Sequence, residues 1–146
     1  VATSHAGWRG TVALIGAKTV EMMCENFGSA PKDIVAGIGP SIGGCCYEVD
    51  DPVYNEFAKI DYLNLNKIFI NKNNGKYMLD LWEANRQILL NAGIKNENIT
   101  VTGGIWKSPG NIKTTLEWCC CVASCFLFSN HQKLHPDLFQ KAFDFC

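Results

Sequence analysis

The chain has 146 residues, 47% of them hydrophobic and 18% charged, with a formal net charge of -1 and a pI near 6.3. That is length enough for one domain with a buried core, and neither the charge balance nor any run of like charges offers a footprint for nucleic acid or an anionic membrane. No stretch reaches the ~18 consecutive apolar residues of a membrane-spanning helix and the start lacks a signal-peptide layout, so the reading is of a soluble, cytoplasmic protein with no nucleic-acid or membrane partner.

Val1 to Ser4 reads as the end of a strand already under way, and with no initiating methionine the chain reads as a fragment of a domain, incomplete at its N-terminus. The strand delivers His5 into the glycine-flanked pair Trp8-Arg9. From Thr11 to Phe27, residues Val12, Ile15, Thr19, Met22, Met23 and Asn26 recur at helical spacing; Thr11 suits the N-cap and Gly28 the left-handed residue past the end. Ser29 to Asp33 is a turn around Pro31, and Ile34 to Ile38 a buried strand.

Gly39-Pro40-Ser41-Ile42-Gly43-Gly44 is a tight loop, after which Cys45 to Val49 is expected to be extended, with the two cysteines pointing in opposite directions. Asp50-Asp51-Pro52 starts a helix over Val53 to Ile60. Ile68 to Ile70, the Asn73-Asn74-Gly75 turn and Tyr77 to Leu79 form a hairpin. Asp80 caps a helix from Leu81 to Asn91 that ends at Gly93, with Leu81, Ala84, Ile88 and Asn91 on one face, and Ile99 to Thr102 is a short strand. Beyond Gly103 the periodicity is lost, and the apolar run Cys119 to Phe128 fits a buried strand or a buried helix. Strands and helices alternating around one core give an α/β single domain with a mixed sheet and flanking helices.

Chemistry concentrates in few places. A neutral imidazole at a strand end can ligate zinc or act as a base near neutral pH; a lone histidine is more often satisfied by a backbone carbonyl. Arg9 can grip phosphate or carboxylate in bidentate fashion, and Trp8 either stacks on a base or fills the core. The loop from Gly39 to Gly44 lacks the Lys-Ser/Thr ending of a nucleotide-binding loop. Eight cysteines are many, but Cys45-Cys46 and Cys119-Cys120-Cys121 are adjacent runs rather than a spaced disulfide framework, and they read mainly as reduced packing residues. Cys121 and Cys125 followed by His131 and His135 approximate zinc-ligand spacing, although the segment between the pairs is far shorter than in a zinc finger. Asp80, Glu83 and Arg86 make an ordinary capped, ion-paired helix.

Three stretches, "SHAGWRG", "GIGPSIGGCCYEVD" and "YMLDLWEANRQILLNAGI", occur in an order and spacing that resembles the laccase-domain family. That family was long labelled multicopper polyphenol oxidase and is now regarded as purine nucleoside phosphorylases with adenosine deaminase activity. The resemblance runs from Val1 to about Thr102, so 1–102 reads as the C-terminal part of the laccase-like domain and 103–146 as a divergent, Cys-rich tail in which only "HPDLF" from His135 echoes the family. It implies a zinc cofactor, copper in the older naming, held by two histidines and one cysteine with an open position, and a purine nucleoside and phosphate as substrates. Only the third ligand of that set matches here, as His5, which becomes the expected catalytic and metal-binding residue; Arg9 is the expected substrate-binding residue, meeting phosphate or ribose. The Val-His-Gly and Ala-Asp-Cys motifs that carry the other two ligands are absent from the chain. Two alternatives accompany this reading: a peptidoglycan-editing hydrolase, as some bacterial relatives resemble, and an inactive truncated fragment lacking two of three metal ligands. Copper oxidase chemistry is disfavoured, because such sites need many histidines and the chain has three.

Overall fold

A computed structural model describes residues 1–101 and, in backbone, the strand 124–129. Among the described residues seven strands form two sheets: β1 (Ala2–His5), β2 (Ile34–Ile38), β3 (Glu48–Asp50), β4 (Phe69–Asn73), β5 (Lys76–Leu79), β6 (Ile99–Val101) and β7 (Ser124–Ser129). The first sheet has the order β1-β7-β2-β6 and the second β3-β5-β4. In the first, β2 and β6 are parallel, while β7 runs antiparallel to both β1 and β2. The second is antiparallel throughout. The fold is thus α/β with mixed sheet pairing, and part of the apolar run that periodicity left open between strand and helix is a strand.

The long helix expected from Thr11 to Phe27 is two helices, α1 (Trp8–Val12) and α2 (Ile15–Phe27). The break is Leu14, which sits in the left-handed region at φ 59°. For a leucine that conformation costs about 1–2 kcal/mol, and the side chain offsets it by packing on the second core. Thr11 therefore lies inside α1 and does not cap α2. The buried face of α2 is Gly16, Val20 and Met23, whereas Met22 is exposed. Gly16 is what lets the helix come close, since a Cβ there would stand 3.3 Å from Leu89 Cδ2. Gly28 does end α2 in the left-handed conformation, its N–H bonding Cys24 O.

The hairpin forms as its turn residues demand. Asn74 and Gly75 both have positive φ, which a two-residue hairpin loop requires, and a bulge falls between Asn71 and Asn73. Two further helices, α3 (Asp51–Ala58) and α4 (Leu65–Ile68), pack with this second sheet. Tyr77 donates its hydroxyl to Asp51 Oδ1 at 3.0 Å, and that hydrogen bond, first among the causes, raises the phenol pKa above its ordinary value.

Helix α5 (Leu81–Asn91) joins the two halves. Asp80 Oδ1 accepts the Glu83 N–H at 3.0 Å as an N-cap, and Arg86 pairs with Glu83 at 3.6 Å. Leu89 packs in a core with Val20, Met23, Ile34, Ala36 and Ile38; Leu81, Ala84 and Ile88 pack in a second core with Val53, Phe57, Phe69 and Leu79. Each fully buried leucine or isoleucine contributes about 1.5–3 kcal/mol, so one helix draws its stability from both cores. Asn91, expected on the buried face, is exposed at the end of the helix. No helix of the described residues is long and apolar enough to cross a membrane.

Candidate functional site

Strand alternation along β1 leaves Thr3 and His5 exposed, with Ala2 and Ser4 turned inward. His5 ends the strand and its imidazole folds back over Gly7, where a Cβ would stand 3.1 Å from Nε2. Gly10 makes the tighter approach: a Cβ there would meet the His5 carbonyl oxygen at 2.9 Å, closer than a side chain is found in folded proteins. The glycine is thus what allows α1 to seat directly on the strand end. Arg9, just before it, is exposed and lays its guanidinium over the Trp8 ring at 4.6 Å from the centroid. Trp8 is half-buried against the second core. The core-filling reading of this tryptophan holds: it packs against the second core on one side, and on the other it serves as the platform under Arg9, a contact the sequence did not announce.

The geometry of the turn rests on a buried pair that sequence inspection passed over. Thr11 Oγ1 lies 3.0 Å from both Ala6 O and Gly7 O and accepts a hydrogen bond from Asn85 Nδ2 at 3.0 Å. Asn85, 1% exposed, also donates to Leu81 O at 2.9 Å. The carbonyls on either side of the strand-to-helix turn are thereby tied to α5. A polar asparagine on the buried face of an amphipathic helix was the available signal. Ser4 Oγ, next to His5, is buried with no hydrogen-bond partner among the described residues.

The second glycine-rich turn corrects an expectation. Cys45 and Cys46 are not extended: Cys46 N–H bonds Gly43 O at 2.9 Å, closing a turn from which β3 starts only at Glu48. Both cysteines are exposed, with Sγ atoms 3.1 Å apart, so neither faces the core. The cause is local crowding. A Cβ on Gly44 would lie 3.0 Å from Asp80 Cβ and 3.2 Å from its Cα, so the chain passes against the α5 cap and must bend. Trp82 Nε1 donates to the buried Ser41 Oγ and fixes the start of this loop.

The structure places His5 and Arg9 at one turn and does not bring Cys45 or Cys46 into a ligand set with His5. Among the described residues, no three His, Cys, Asp or Glu side chains gather where they could hold a metal ion. The residues described therefore do not fit a complete zinc or copper site, and His5 is the one histidine among them. Cys119 to Cys121, His131 and His135 lie outside the described residues, as does the side chain of Cys125.

The mixed α/β fold and the match to a family model agree on a laccase-type domain. The family model described as multi-copper polyphenol oxidoreductase laccase matches residues 1–134, and the chain belongs to this family. Copper stands in the family's name. The chain is 43% identical over 103 residues to purine nucleoside phosphorylase YlmD of Bacillus subtilis, covering 70% of this chain and 37% of that protein. It is 47% identical over 100 residues to adenosine deaminase RL5 of an unknown prokaryotic organism, covering 68% and 37%. The chain thus spans little more than a third of the length of these relatives. Among solved structures it is similar to the Bacillus licheniformis hypothetical protein YfiH, with TM-score 0.66, 45% identity and coverage of 68% of this chain and 38% of that one. It is also similar to YlmD from Geobacillus stearothermophilus, with TM-score 0.64, 30% identity and coverage of 88% and 48%.

Proposed function

We propose that this protein is a purine nucleoside phosphorylase that also deaminates adenosine. The observation that carries the reading is the His5 turn, where an exposed imidazole and a tryptophan-stacked guanidinium share one strand-to-helix junction in a family with relatives named for these activities. In phosphorolysis a phosphate oxygen bonds to the ribose C1′ as the glycosidic bond breaks, and the base leaves with the electron pair and takes up a proton. Arg9 holds the phosphate by bidentate, charge-assisted hydrogen bonds and offsets its negative charge. The stacking on Trp8 restrains the guanidinium before substrate arrives, which lowers the ordering cost of binding. His5 supplies one imidazole donor toward zinc, and the remaining donors come from outside the described residues.

The test is phosphate-dependent release of free base from adenosine, inosine and guanosine, with ammonia release from adenosine followed in parallel. Arg9→Ala is expected to raise the KM for phosphate roughly tenfold to a hundredfold, the loss of one charged contact, with kcat for deamination little changed. Unaltered phosphate dependence in that variant would remove Arg9 from the role, and absence of base release from all three nucleosides would overturn the whole reading.

A further inference from the structure

The turn after β2 sets two nucleophilic side chains together that the reaction above does not use. Cys45 and Cys46 are both exposed, and their sulfurs are 3.1 Å apart, about 1 Å more than a disulfide bond. An extended chain would turn adjacent side chains to opposite faces; here the Gly43-to-Cys46 turn turns both the same way. The turn is fixed from beneath. Gly44 abuts Asp80, Trp82 bonds Ser41, and a Cβ on Gly43 would touch both Cys45 Sγ at 3.6 Å and the Trp82 ring at 3.7 Å. The thiols consequently start close, and their approach needs little further ordering of the backbone.

We propose that Cys45 and Cys46 form a redox-active vicinal dithiol, a modification site whose reaction partner is a low-molecular-weight disulfide such as oxidised glutathione. One cysteine thiolate attacks a sulfur of the small disulfide, forming a mixed disulfide and expelling one small thiolate. The neighbouring cysteine then attacks the protein-bound sulfur, closing the Cys45–Cys46 bond and expelling the second. Two protein thiols are oxidised by two electrons, the small disulfide is reduced to two thiols, and the two cysteine protons end on those leaving groups. Adjacent Cα atoms are about 3.8 Å apart, below the usual span of a disulfide, so the closed ring is strained, and strained, exposed disulfides are the readily reduced ones. The site therefore cycles rather than acting as a permanent staple.

The experiment equilibrates the full chain in glutathione buffers of increasing oxidised fraction, quenches with acid, alkylates and digests with trypsin. The peptide Asp33 to Lys59 contains these two cysteines and no others, so its mass reports the pair alone. The expected result is loss of both alkylation sites together, with a peptide lighter by two hydrogens that dithiothreitol restores. Cys45→Ser or Cys46→Ser should instead accumulate a glutathione adduct on the remaining cysteine, because no neighbour can displace it. Full alkylation at every ratio, two glutathiones on one peptide, or a link to a different cysteine peptide would each overturn the proposal. None of these readouts depends on nucleoside turnover, so the failure of one proposal leaves the other standing.

Discussion

Two glycine-rich turns, one after β1 and one after β2, are both held by α5, yet by different means. At the first, Asn85 reaches through the core to Thr11 and so to the carbonyls beside His5. At the second, Trp82, three residues earlier on the same helix, bonds Ser41 from a half-buried position while Gly44 presses on the helix cap. The buried hydrogen bond has no water to replace it, and the half-buried one does. A break at the first turn should therefore cost more than a break at the second.

The largest effect is expected for Asn85→Ala, which removes two buried hydrogen bonds and leaves a cavity: about 3–4 kcal/mol by urea denaturation. A loss below 1 kcal/mol would mean the pair does not brace the turn. Gly10→Ala comes next, at about 3 kcal/mol, because its Cβ would meet backbone that can move only with β1. Gly44→Ala should lose about 1–2 kcal/mol as the loop slides off Asp80. Trp82→Phe, which deletes the indole N–H together with the pyrrole part of a half-buried ring, is expected to cost about 1 kcal/mol. If it cost as much as Asn85→Ala, the contrast between the two turns would be void. The smallest effect concerns the hairpin. Tyr77 has a raised pKa in the folded chain, so the stability from its bond to Asp51 is whole below the unfolded phenol pKa of ~10 and is lost as pH rises through the folded one. Tyr77→Phe should abolish that part of the alkaline transition and lower the neutral Tm slightly, by the contribution of this one exposed hydrogen bond.

Where local chemistry decides the backbone, the sequence could be read directly. Asn74-Gly75 makes the hairpin turn, Asp80 and Gly93 bracket α5, and the strand from Ile34 to Ile38 lies where its β-branched residues put it. The family likeness was legible from three motifs in the first two-thirds of the chain. What could not be read were features set by tertiary contact. Leucine gives no local warning of a left-handed residue, so the break at Leu14 was invisible. The bend at Cys45 and Cys46 depends on Asp80, far along the chain. The Thr11–Asn85 bond joins residues 74 apart, and no periodicity reports such a partner. His5 and Arg9 were legible as candidates because the glycines around them are; the rest of a metal set was not, since the described residues hold none.

The order of the first sheet bears on how the chain reaches this structure. β1 and β2 are not neighbours: β7 lies between them, bonded to both. Nearly the whole described chain must therefore leave the ribosome before the histidine-bearing strand finds its place, a delay on the order of ten seconds at ordinary synthesis rates. Contacts of such sequence separation are slow to form even in a released chain. In the interval the second sheet, whose strands lie within one short stretch, can already fold, and the β1–β7 pairing beside His5 forms after it.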